Sequence, residues 1–132
     1  MIWQGTSLID APEPTSFTDG ELVVGRERLR LTSEDPADIR AVAPDGRAFR
    51  LRKAGFTVSR YEALCDGRAY RARRTSGSRR EITGPDGTVV ARTRGRADGS
   101  LEVDPVGGFT LDLAFITWAL TYVDTPTRRT RR

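Results

Sequence analysis

The chain contains no histidine, one cysteine (Cys65), one methionine and one lysine (Lys53). Without histidine there is no His-based catalytic triad, no His-ligated metal and no imidazole general base. A single cysteine excludes a disulfide framework and a thiolate-built zinc site. Long apolar runs are scarce as well. The longest, Phe109–Val123, has 15 residues and includes Asp112, short of the roughly 20 apolar residues that cross a bilayer. The first residues, Met1-Ile2-Trp3-Gln4-Gly5, show neither the charged nor the apolar region of an export signal. The expectation is a cytoplasmic protein that is not transmembrane and carries no metal or other cofactor.

What is present is arginine. Of the 22 basic residues 21 are arginine, against 18 acidic ones, and the 132-residue chain has a formal charge of +4. That total hides an order. Residues 1–46 carry −5, residues 47–96 carry +10, residues 97–127 carry −5, and Arg128-Arg129-Thr130-Arg131-Arg132 adds +4. Without those last arginines the chain is formally neutral, so its basic character belongs to the middle. The guanidinium fork binds phosphate and carboxylate bidentately, which is one reason to use arginine. A GC-rich genome is the other, and the bias extends along the whole chain.

Asp-Gly recurs at 19–20, 45–46, 66–67, 86–87 and 98–99. The pair supplies the positive φ angles of tight hairpin turns. Asp45-Gly-Arg-Ala-Phe-Arg-Leu-Arg52 matches Asp66-Gly-Arg-Ala-Tyr-Arg-Ala-Arg73, and Asp86-Gly-Thr-Val-Val-Ala-Arg-Thr-Arg94 is a looser third copy. Spacings of 21 and 20 residues fit one β-hairpin per repeat. After each turn apolar and polar residues alternate: Phe49 and Leu51 lie opposite Arg50 and Arg52, Tyr70 and Ala72 opposite Arg71 and Arg73. That period marks half-buried antiparallel strands. Further strands are expected at 21–24, 28–32, 39–43, 56–62, 79–83 and 100–103. The predicted fold is mainly β, an antiparallel meander curled into a barrel of about nine or more strands, because closure removes exposed edges. Residues 1–18, rich in Pro, Ser and Thr, read as an irregular leader anchored by Trp3 and Phe17. Residues 19–126 form the barrel domain, and 127–132 read as a disordered Arg-rich tail.

One helix is expected over about 109–123. Thr110 caps it, Asp112 complements the dipole of its first turn, and Pro126 lies just past its end. Leu111, Phe115, Trp118 and Tyr122 form one stripe, and Leu113, Ile116, Leu120 and Val123 another. A helix apolar on nearly every side is buried on nearly every side. The interior of the curled sheet is the expected location. Packing across an open barrel end, or against a second chain, are the other arrangements.

Hairpins with Pro-Asp-Gly turns at 44–46 and 85–87, followed by a hydrophobic C-terminal helix, resemble the tubby C-terminal-like barrel, the superfamily of tubby, phospholipid scramblases and LURP-one-related proteins. The resemblance covers residues 19–124. It implies antiparallel strands wrapped around a central helix; the family usually has twelve strands, and about nine are read here. It also implies a non-enzymatic binding module, because tubby domains bind phosphoinositide headgroups through basic surface residues.

The equivalent surface here is the Arg-rich hairpin with Arg71, Arg73, Arg74, Arg79 and Arg80 around the turn at 75–78, a candidate site for an anionic lipid headgroup or phosphate. The alternative is a solvated face balanced by the two acidic flanks. Nucleic acid is a second partner class, with Tyr61 and Tyr70 as residues that stack on bases or pack across strands. A protein partner is a third, with the leader as a docking strand. Enzyme chemistry has little to stand on. Cys65 lacks a histidine base and reads as a buried structural thiol, and Glu62 and Glu81, set among arginines, read as salt-bridge partners.

Overall fold

A computed structural model describes residues 1–56 and 59–125; the Arg-rich tail and Pro126 lie outside the described residues. Twelve antiparallel strands close into one barrel. They are β1 (Ile2–Gln4), β2 (Ser7–Ile9), β3 (Thr15–Thr18), β4 (Glu21–Val24), β5 (Glu27–Asp35), β6 (Asp38–Val42), β7 (Ala48–Lys53), β8 (Arg60–Cys65), β9 (Arg68–Ser76), β10 (Arg79–Thr83), β11 (Val89–Gly95) and β12 (Leu101–Pro105). Each strand pairs with its neighbours in sequence, and β1 closes the ring against β12.

All five Asp-Gly pairs are turns between consecutive strands. At Asp19-Gly20 and Asp66-Gly67 both residues have positive φ (55° and 79°, 49° and 86°), the geometry of a two-residue hairpin turn. At the other three only the glycine is left-handed, with φ of 94° at Gly46, 85° at Gly87 and 90° at Gly99. There the aspartate instead holds the turn with its side chain: Asp45 accepts from the Arg47 N–H, Asp86 from Thr88, and Asp98 from Ser100.

The leader is not irregular. Residues 2–18 supply three short strands, bringing the barrel to twelve. Their ordering is tertiary. Trp3 is buried against Trp118 with ring centroids 5.0 Å apart, and Phe17 stacks on the same ring at 4.6 Å. The N-terminal amine donates to the Val103 carbonyl at 3.1 Å.

The helix α1 (Leu111–Asp124) follows β12, capped by Thr110, whose Oγ1 accepts from the Leu113 N–H. Every residue from Asp112 to Val123 is buried. Its partners surround it. Trp3 of β1 donates to Thr117, Phe17 of β3 covers Trp118, Glu34 of β5 accepts from the Tyr122 hydroxyl, and Phe49 of β7 meets Phe115. Arg68 of β9 and Arg80 of β10 reach Asp112 and Asp124. Contacts from strands on every side place the helix inside the barrel.

An eight-stranded barrel is just wide enough to be filled by its own side chains, whereas a helix with side chains needs about 10–12 Å. Twelve strands provide that width. Inward positions at Ala41, Ala63, Ala72 and Ala91 are small and buried, which leaves room for the aromatic residues of α1. Alanine is a poor strand former; its use here follows from the space the helix takes.

Among the described residues no helix is long and apolar enough to cross a membrane. The outward strand positions are rich in charge, the reverse of the apolar band of a membrane-spanning barrel.

Candidate functional site

Pleat alternation sorts the arginines. On β8, Tyr61, Ala63 and Cys65 point inward, so Arg60, Glu62 and Leu64 point outward. On β9, Tyr70 and Ala72 are inward, and Arg71 and Arg73 outward. Strand register then sets the outward neighbours. Arg60 stands opposite Arg73, and Glu62 lies between Arg52 and Arg71. Arg73 faces Glu81, which faces Arg92, and Arg79 faces Arg94. The outer face of β7–β11 is therefore a field of guanidinium groups with Glu62 and Glu81 set into it.

Two depressions mark this face. A groove of about 1260 Å3 crosses β7–β10, with Arg52, Arg60, Arg71, Arg73 and the half-exposed Leu64 (52%) in its lining. A cleft of about 610 Å3 lies between the tips of the β9–β10 and β11–β12 hairpins, lined by Ser76, Ser78, Arg79, Arg94, Arg96 and Asp98.

The five arginines singled out from sequence are split by the fold. Arg71 and Arg73 face the groove. Arg79 belongs to the cleft. Arg74 is exposed at the end of β9, where its backbone N–H donates to the Ser59 carbonyl. Arg80 is no surface residue: only 1% of it is exposed. Arg79 and Arg80 are consecutive residues of β10 and face opposite sides of the sheet. Arg80 turns inward beside Ile82, donates from Nε and Nη2 to Asp124 at 2.7 and 3.0 Å, and lies 5.3 Å from the Tyr61 ring centre. Alternation held the signal: two residues before an inward isoleucine, Arg80 shares its face. Arg60 was missed because only cross-strand register brings it beside Arg73.

The acidic flanks neutralise part of the strip. Glu27 pairs with Arg47, Asp38 with Arg50, Asp112 with Arg68, Asp124 with Arg80, and Glu102 with Arg94 and Arg96. Arg40 and Arg50 together hold the Asp38 carboxyl well below the usual carboxylate range. Glu62 reaches Arg52 at 3.5 Å, and Glu81 reaches Arg73 and Arg92, each at 3.4 Å. Both are salt-bridge partners, as their arginine neighbours implied. Arg60, Arg71, Arg74 and Arg79 form no ion pair with a described residue. The flanks thus leave an uncompensated set centred on β8–β10.

The other candidates face inward. Tyr61 donates its hydroxyl to the Pro36 carbonyl at 3.2 Å, and Tyr70 donates to Asp112 at 2.5 Å. Both rings are buried and cannot stack on bases. Cys65 is fully buried. Burial first, and the nearby Asp112 carboxylate second, push its thiol up, which opposes formation of the nucleophilic thiolate. Compared with protein-family models, with characterised proteins and with solved structures, the chain matches none.

Proposed function

We propose that the protein is a non-enzymatic binding module of tubby-like type that recognises an anionic ligand, a lipid headgroup or phosphate, on the outer arginine face of β7–β11. The observation that carries this reading is the pair Arg60 and Arg73. They are direct cross-strand neighbours of like charge, an arrangement that destabilises a sheet unless an anion lies between them. Among the described residues Arg73 has only the contact to Glu81 at 3.4 Å, and Arg60 pairs with no carboxylate. Arg71 and Arg79 extend the uncompensated charge on either side. A closed twelve-strand barrel around a C-terminal helix is the architecture that the tubby-like resemblance implies, and it supports the same reading. The inward tyrosines count against base stacking, and the leader, built into the sheet as β1–β3, is not free to dock on a protein partner.

Sedimentation with vesicles containing anionic lipid, run beside a nucleic-acid mobility shift, tests the proposal. The protein is expected to sediment with anionic but not neutral vesicles. Replacing Arg60, Arg71 and Arg73 together by alanine should weaken that binding about a hundredfold. Unchanged binding by the triple variant would refute the arginine face as the site.

A further inference from the structure

We propose that the ligand of the arginine face is extended, a linear phosphate chain of the inorganic polyphosphate class, and that groove and cleft are two stations on one track. The inference rests on the anion-binding reading above and adds the shape of the ligand.

The guanidinium groups tile the surface instead of converging on one point. Along β9, Arg71 and Arg73 are successive outward residues, separated by about 6.8 Å, and neighbouring strands are about 4.8 Å apart. From the groove the charged row continues across the strands, with Glu81 the one acidic residue set between Arg73 and Arg92. Arg60 adjoins Arg73, and beyond it Glu81 and Arg92 follow on β10 and β11. The next register step on the same face is the pair Arg79 and Arg94 in the cleft. That pair repeats the Arg60–Arg73 relationship, two like charges directly opposed; Arg79 has no ion pair among the described residues, and Arg94 has a long one to Glu102 at 3.8 Å. A compact headgroup could relieve one such pair. A chain bearing charge on every unit relieves both.

Two further features narrow the class. Nothing aromatic lines either depression with an exposed ring, since Tyr61 and Tyr70 are buried, so a chain without bases loses nothing that a nucleic acid would use. The hydroxyls of Ser76 and Ser78 in the cleft supply neutral donors beside Arg79, suited to phosphate oxygens. Asp98, also in the cleft, is occupied by the N–H and hydroxyl of Ser100.

Binding of the full chain is measured at fixed ionic strength to orthophosphate, tripolyphosphate, long-chain polyphosphate, mixed-sequence single-stranded DNA and anionic vesicles. Long-chain polyphosphate should bind about a hundredfold or more tighter than tripolyphosphate, because successive contacts share one chain. Arg71→Gln in the groove and Arg94→Gln in the cleft should each weaken the long chain by up to about fivefold, and their effects should multiply. Arg71 is exposed and Arg94 partly exposed, so thermal melting should show the variants folded. The inference is overturned if tripolyphosphate binds as tightly as the long chain, if Arg94→Gln has no effect, or if DNA of equal charge binds more tightly. Binding to vesicles or tripolyphosphate alone would remove the extended chain and keep the anion-binding reading. Binding to none of the five probes would remove both.

Discussion

Arg80 and Asp124, 44 residues apart, form a two-pronged ion pair inside the barrel, with 1% and 6% of their side chains exposed. It ties the last turn of α1 to β10. Asp124 sits at the negative end of the helix dipole, where a carboxylate is unfavourable, and no basic residue in that last turn offsets it; the strand supplies the compensating charge. Removing one partner leaves the other charge buried. Arg80→Ala is expected to lower unfolding stability by about 3–5 kcal/mol, read from urea midpoints. Arg80→Met combined with Asp124→Leu should recover most of it. A loss below about 1 kcal/mol in Arg80→Ala would mean that water reaches the pair.

Gly95 marks where that helix end meets the sheet. A Cβ added there would lie 2.6 Å from the Asp124 carbonyl oxygen, whereas one added at Gly84 would meet a methyl of Val90 at 3.0 Å. Backbone cannot yield as a side chain does. Gly95→Ala should therefore cost about 1–3 kcal/mol, and Gly84→Ala less than about 1 kcal/mol. Equal melting temperatures for the two variants would contradict this difference.

The helix core gives a sharper test. Leu120 is fully buried, and Leu120→Ala should cost about 2–5 kcal/mol. Leu120→Asp places an unpaired charge inside the barrel and is expected to abolish soluble expression. A soluble, cooperatively folding Leu120→Asp protein would be incompatible with a helix enclosed by strands.

Deleting residues 1–18 removes β1–β3 and leaves β4 and β12 as open edges. Trp118 loses both Trp3 and Phe17. The shortened chain should aggregate, and its tryptophan emission should shift to the red. Native emission from a monodisperse shortened protein would show that these strands are dispensable.

Stability should fall at both ends of the pH scale. The Cys65 thiol is raised by burial. Its contribution is fully present below the unfolded value of about 8.5 and is lost as pH rises toward the higher folded value. Melting temperature should decline above about pH 8.5, and Cys65→Ala should flatten that decline. At the acid end, the carboxyls of Asp38, Asp86 and Asp98 are lowered: Asp38 by Arg40 and Arg50, Asp86 by the Thr88 N–H and hydroxyl, Asp98 by the Ser100 hydroxyl and N–H. Their stabilisation is present above about pH 4 and is lost as pH falls. A melting temperature constant from pH 7 down to 2 would contradict the acid limb.

Much of the barrel is local in origin and was legible without coordinates. Five Asp-Gly turns, the apolar alternation after them, and an all-round apolar helix capped by Thr110 depend on residues within a few positions of one another. The three N-terminal strands were not legible. They are three or four residues long, with Pro12 and Pro14 between β2 and β3, and are ordered because β1 meets β12 a hundred positions later and Trp3 and Phe17 meet Trp118.

The candidate surface divides in the same way. Sequence alone determined that arginine concentrates between residues 47 and 96 and alternates with apolar residues along strands, because composition and pleat period are properties of the chain. Only the tertiary structure decided which guanidiniums keep their charge uncompensated. Register set Arg60 against Arg73, the docking of α1 brought Asp124 to the inward Arg80, and tertiary packing carried the acidic flanks to five other arginines. Those choices depend on which strands become neighbours, and no local pattern encodes that.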